Sequence, residues 1–154
     1  MDIRSVYNVG SIFRTAEGFG FEDFGLIGIT PTPLDKHNNK RKDFVKTALG
    51  AEDRIKWEFF ENTNSLFEQY KDYKIISLEI NQQSEDIVNI GEFIKNNQEQ
   101  NFLLFLGSEV DGVSKEILNI SERVYHIPMK GQKESFNVSV AAGIILYILN
   151  QNKS

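Results

Sequence analysis

NFLLFLGSEVDG, Asn101–Gly112, sets an unbroken apolar run against a turn of glycines and acids. Phe102–Leu106 contains no polar residue, so a strand built from it must be buried on both faces. That is the pattern of a parallel sheet covered by helices. YKIISL, Tyr73–Leu78, repeats it, and between the two runs Glu85–Asn96 reads as a helix interrupted by Gly91. Short apolar runs alternating with helical patterns predict the α/β class, a mostly parallel sheet flanked by helices.

The pattern extends in both directions. Asn8–Gly20 is predicted to be a helix: Asn8 can cap it, Val9, Ile12, Phe13 and Ala16 recur at helical spacing, and Gly18 and Gly20 end it. Phe24–Ile29 and Ile55–Phe60 read as strands, and Asp43–Leu49 and Asn64–Lys71 as short helices. Ser114–Asn119 is a further short helix capped by Ser114, Arg123–Ile127 a last strand, and Asn137–Asn150 the terminal helix. That helix is apolar nearly all round, so it needs more cover than one sheet face provides. A homodimer is the economical source of that cover.

A chain of 154 residues, 40% hydrophobic and 25% charged, is large enough for one domain with its own core. It has no cysteine, which excludes disulfides, a thiolate zinc site and a cysteine nucleophile. The start of the chain lacks an apolar signal core, and Val138–Leu149 is too short to span a bilayer, so a cytoplasmic protein without membrane association is expected. The net charge of −5 disfavours a protein that simply coats nucleic acid. Lys36–Lys46 nevertheless concentrates Lys36, Lys40, Arg41, Lys42 and Lys46 against the single acid Asp43. This is either a solvated loop or a local grip for a phosphate backbone.

Familiar nucleotide motifs are missing. GFGFEDFG, Gly18–Gly25, follows a helix and precedes a strand, the reverse of a dinucleotide fingerprint, and no GxxxxGK[ST] loop exists. His37 and His126 lack nearby ligand partners, so no metal site is expected, and His126 is read as a strand residue.

Three segments do place polar residues or glycines at strand ends, where open α/β sheets bind ligands. LGSEVDG, Leu106–Gly112, is either a solvated turn or a backbone cradle in which Gly107 admits a ligand and Glu109 faces it. IPMKG, Ile127–Gly131, ends a strand at Pro128 and frees carbonyls that could read an adenine edge. Ser135 and Asn137 stand where a loop enters the terminal helix, a position rich in unpaired backbone donors, and plain helix capping would also explain them.

In order, NVGSIFRTAEGFG (Asn8–Gly20), FLGSEVDGVS (Phe105–Ser114) and IPMKGQKESFNVSVA (Ile127–Ala141) resemble the three motifs of SpoU-type (TrmH-type) RNA ribose 2′-O-methyltransferases of the SPOUT superfamily. The similarity covers almost the whole chain. Phe136, where the family usually has leucine, is a conservative departure. The resemblance implies a single-domain α/β-knot fold over residues 1–154, with a deep trefoil knot in its C-terminal part. It also implies an obligate homodimer and S-adenosylmethionine bound at the knot. Because the first motif lies at the start of the chain, no N-terminal RNA-binding extension is expected. RNA capture would rest on the catalytic domain, the dimer surface and the basic loop at Lys36–Lys46, with Arg14, Lys36, Lys40, Arg41 and Lys42 as the expected RNA-binding residues.

By the same resemblance the methyl acceptor is a ribose 2′-hydroxyl of tRNA or rRNA, and Arg14 is the catalytic residue. It is either a general base primed by an RNA phosphate or a stabiliser of the developing alkoxide. The second role suits a guanidinium better, since that group hardly ever gives up its proton in water. Asn8 would position Arg14 or the substrate, Glu109 would hold RNA or orient Arg14, and Ser135 and Asn137 would order the active site. Leu78, Gly107, Ile127, Met129, Ser135, Phe136 and Asn137 would surround the cofactor. The rival readings are a catalytically inactive RNA-binding dimer of the same fold and, below it, a magnesium-dependent hydrolase using Glu109 and Asp111.

Overall fold

A computed structural model describes residues 1–152. It divides into two compact units, Met1–Gln69 and Tyr70 onward.

In the first unit, helix α1 (Val6–Gly18) starts earlier than its sequence suggests, because Ser5 rather than Asn8 is the N-cap. The Ser5 hydroxyl accepts the Asn8 N–H at 3.2 Å, so Asn8 lies inside the first turn as the capped donor. The helix buries the predicted stripe of Val9, Ile12, Phe13 and Ala16, and Gly10 with it. Strand β1 (Asp23–Ile27) pairs in parallel with β2 (Lys56–Phe60). Helix α2 (Lys42–Ala48) lies against α1, with the fully buried Phe44 edge-on to Phe13 at 5.1 Å. Phe24 of β1 meets the other side of Phe13 at 4.9 Å, and α3 (Thr63–Gln69) adds the buried Leu66. Burying each such ring contributes about 1.5–3 kcal/mol.

The two helices approach closely at Gly10. A Cβ there would overlap the Thr47 hydroxyl and press on the Phe44 carbonyl oxygen at 3.0 Å. Glycine within a helix costs roughly 1 kcal/mol of propensity relative to alanine. Here the contact that its missing Cβ permits outweighs that cost.

The second unit is a four-stranded sheet in the order β4–β6–β3–β5, comprising β3 (Lys74–Leu78), β4 (Glu85–Asp86), β5 (Phe102–Leu106) and β6 (Arg123–His126). Every pairing is parallel, as the doubly apolar runs predict. The predicted helix Glu85–Asn96 is shorter than its pattern. Only Ile90–Asn96 (α4) is α-helical; Glu85–Asp86 joins the sheet edge, and Ile87–Asn89 forms a 3₁₀ turn. The Asp86 carboxylate accepts the Val88 N–H at 3.1 Å, and this local bond competes with a helical start. Helix α5 (Lys115–Ile120) is capped by Ser114 as expected, and His126 is a strand residue whose Nδ1 lies 3.0 Å from the Ser84 hydroxyl.

Helix α6 (Val138–Gln151) buries Ala142, Ile145 and Leu146, while Val140 and Tyr147 stay about half exposed at 50% and 53%. The chain therefore covers a single stripe of a helix that is apolar almost throughout.

Tyr125, at the centre of the sheet, is fully buried, and its hydroxyl has no hydrogen-bond partner among the described residues. Burial pushes its pKa up to about 12, with the Glu85 carboxylate adding to the shift and Arg123 opposing it.

Two measurements test these packing arguments. Gly10→Ala should lower stability by about 1–3 kcal/mol in urea denaturation, since the helices must separate to admit the methyl group. Tyr125 stabilises the fold as a neutral phenol. Its contribution is complete below the unfolded value near pH 10 and is lost as pH rises through about 12. Tyr125→Phe should therefore lose less stability than the wild type between pH 10 and pH 12. At pH 7 it should match or exceed the wild type, because an orphaned hydroxyl has been removed.

Candidate functional site

The carboxyl ends of β3, β5 and β6 stop at one level. Leu78 pairs with Leu106 on one side and with Tyr125 on the other. Beyond them lies a pocket of about 380 Å³, closed by the loop after β5, by Ile127 and by the Ser135–Val138 entrance to α6. This volume falls near the lower end of the range of about 300–1,000 Å³ for small-molecule sites.

The loop after β5 closes on itself. Ser108 and Gly112 exchange two backbone hydrogen bonds at 3.1 and 3.2 Å, and the Ser108 hydroxyl accepts the Asp111 N–H at 2.9 Å. A Cβ on Gly107 would overlap the backbone of Gly112 and Val113. The glycine is thus required by the loop's own return, where its sequence suggested room for a ligand. Gly112 has φ of +65°, and a side chain there would overlap the Glu79 carboxylate.

Glu79 is the residue that the motif reading missed. It is the first residue after β3, and one carboxylate oxygen accepts the Val113 N–H at 2.8 Å while the other accepts the Ile80 N–H at 2.9 Å. It is half-buried, lines the pocket and ties the end of β3 to the loop after β5. The available signal was an acid placed directly after a buried strand, a costly position unless backbone donors receive it.

Of the residues expected around a cofactor, Leu78, Gly107, Ile127, Ser135, Phe136 and Asn137 all line this pocket, and so does Glu109. Met129 is half-buried and is not among the lining residues. Asn137 caps α6: its Oδ1 accepts the Ser139 N–H at 2.9 Å and the Ser139 hydroxyl at 2.7 Å. Capping and pocket lining therefore coexist in one side chain. Glu79 and Glu109 bring two carboxylates to a pocket with no lysine or arginine in its lining. Leu78, Leu106, Ile127 and Phe136 supply an apolar part of the wall, and Ser108, Ser135 and Asn137 add uncharged polar groups. That combination suits a cationic ligand with a flat apolar part and hydroxyls to donate, so the residues fit S-adenosylmethionine.

The first unit holds the other predicted residues. Arg14 is exposed on α1 and lines a shallow depression of about 530 Å³ with Ser11, Thr15, Lys46 and Thr47. Asn8 does not line it; six residues of helix place Asn8 about 120° around the axis from Arg14. The basic stretch divides. Lys36 and Lys42 are exposed, but Lys40 is hydrogen-bonded to Asp53, which holds its ammonium pKa above the ordinary value. Arg41 grips its own neighbour Asp43 with two bonds, at 3.2 and 2.8 Å.

Comparison with known proteins agrees with this layout. The chain is 36% identical over 148 residues to a tRNA (guanosine(18)-2′-O)-methyltransferase of Aquifex aeolicus, covering 95% of this chain and 64% of that protein. A protein of the same name from Borreliella burgdorferi is 28% identical over 150 residues, covering 96% of this chain and 62% of the relative. The chain thus spans under two thirds of the length of these curated relatives. Among solved structures, the SpoU methyltransferase AviRb from Streptomyces viridochromogenes in complex with AdoMet has the same fold. Its TM-score is 0.80 at 19% identity, covering 97% of this chain and 56% of that one. The model of the SpoU rRNA Methylase family matches residues 1–147, and the chain belongs to that family.

Proposed function

We propose that the protein transfers a methyl group from S-adenosylmethionine to a ribose 2′-hydroxyl of tRNA or rRNA. The observation that carries this reading is the pocket at the ends of β3, β5 and β6, walled by residues of the second and third motifs and holding two carboxylates. Family membership and the names of the two relatives support the same reaction. The reading takes residues 1–154 as one catalytic domain and includes the deep trefoil knot. In its favour, the loops after β5 and β6 wall a common pocket. It also includes a homodimer in the cytoplasm. The exposed Val140 and Tyr147 of the apolar α6 support the dimer, and no helix among the described residues is long and apolar enough to cross a membrane.

When bound, S-adenosylmethionine supplies a methyl group on a sulfonium that already contains the leaving group. The chain's own residues hold and orient. Leu78, Ile127 and Phe136 exclude water from the apolar part of the ligand, and Glu79 and Glu109 favour its positive charge. Glu79 also keeps the loop after β5 in place, so it acts as a positioning residue as well as a wall. Ser135 and Asn137 order the lip where α6 begins. Arg14 binds RNA phosphate and stabilises the negative charge that develops on the ribose oxygen as its proton passes to solvent water.

Arg14→Ala should reduce transfer of tritiated methyl groups to RNA by about 10²-fold or more, with calorimetric affinity for S-adenosylmethionine and sedimentation as a dimer unchanged. Retained activity would remove Arg14 from the mechanism. A wild-type protein that gives no heat with S-adenosylmethionine yet still binds RNA would favour the inactive RNA-binding dimer. Glu79→Ala should have the opposite profile, weakening S-adenosylmethionine about tenfold or more because the Val113 and Ile80 donors lose their acceptor.

A further inference from the structure

The charges of the first unit are unevenly satisfied. Lys40 is engaged by Asp53, Arg41 by Asp43 and Arg54 by Glu17. Arg14 and Lys46 have no ion pair among the described residues, and both line the depression between α1 and α2. No aspartate or glutamate lines it, although the chain carries 22 acids against 17 lysines and arginines. Its polar lining is instead the hydroxyl-bearing residues Ser11, Thr15 and Thr47.

This juxtaposition follows from the Gly10 contact. Thr47 sits where a Gly10 side chain would be, and Arg14 is one turn beyond Gly10 on the same face of α1. Lys46, next to Thr47 in the last turn of α2, is therefore carried to the depression that Arg14 lines. A lysine at a helix C-terminus gains from the helix dipole, which accounts for Lys46 alone. It does not account for a second cation in the same acid-free depression, where like charges repel unless an anion lies between them. A singly charged phosphodiester meets both requirements. A guanidinium can grip two of its oxygens, an ammonium adds a point charge, and a hydroxyl can donate to it.

We propose that Lys46 is the second cation of a phosphodiester seat shared with Arg14, holding one RNA backbone phosphate in the α1–α2 depression. This rests on the RNA methyltransferase reading and deepens it, because it assigns a docking point outside the cofactor pocket. Phosphate contacts position a nucleic acid without reading its sequence, so the seat serves register and leaves the choice of nucleotide to other contacts.

The test measures binding of the full chain to pooled unmodified tRNA transcripts across a salt series. Lys46→Gln should weaken binding about five- to tenfold at 0.1 M salt and lower the log–log salt slope by about 0.7–0.9, the loss of one phosphate contact. Lys46→Arg should restore most of both. Lys95→Gln, which removes an exposed charge from α4 of the second unit, should leave the slope unchanged. Thermal stability and calorimetric affinity for S-adenosylmethionine should be unaffected by Lys46→Gln, separating a lost RNA contact from a damaged fold. If the wild type binds RNA and Lys46→Gln keeps both affinity and slope, the seat is overturned while the methyltransferase reading stands. Should the wild type bind neither RNA nor S-adenosylmethionine, both are overturned.

Discussion

Parallel pairing of three strands that are distant in the chain is the constraint on which the rest of the second unit depends. β3 lies between β5 and β6, with Leu78 level with Leu106 on one side and Tyr125 on the other. Because parallel strands share a direction, their carboxyl ends meet on one edge, and the loops that leave them share a pocket. A slip of one residue in either pairing would exchange the two faces of a strand. It would take the buried Ser77 from its hydrogen bond with the half-buried Ser121, 2.8 Å long, and place an apolar neighbour there.

Side-chain-to-backbone hydrogen bonds hold the pocket's edge. Glu79 accepts two backbone donors and occupies the space that Gly112 leaves open. A carboxylate so placed does structural work through hydrogen bonds and leaves its charge facing the cavity. Asn137 makes the same double use of one side chain, capping α6 while lining the pocket. In both cases a residue needed for the fold also lines the pocket, so the geometry of the pocket is inherited from the sheet.

The first unit uses a different device. A glycine inside a helix lets two helices approach, and the hydroxyl and cation on the second helix are brought to the arginine of the first. The basic stretch that looked like one patch is divided by its acids. Lys40 and Arg41 are turned to Asp53 and Asp43, and Lys46 is left to the depression. Linear charge counts do not reveal which cation has an acid within reach, since Asp53 is 13 residues from its partner.

Periodicity alone determined the α/β class, the parallel strands β3 and β5 and the buried stripe of α1. Residue type at the helix starts marked Ser114 as a cap and Ser135 and Asn137 as capping candidates, of which Asn137 is the cap. Each depends on neighbours within a few residues and on whether a face meets water. Six of the seven residues expected around a cofactor line the pocket, because strand ends and their loops are local features. The start of α1 at Ser5 and the shortened α4 were misread, since competing side-chain-to-backbone bonds leave no periodic trace. Glu79 was legible only in three dimensions, and Lys46, one of five cations in the basic stretch, was singled out from its neighbours only there. Their roles come from the Val113 N–H, 34 residues away, and from the depression around Arg14, 32 residues away. Partners at such separations are chosen by packing, which single-residue patterns do not encode.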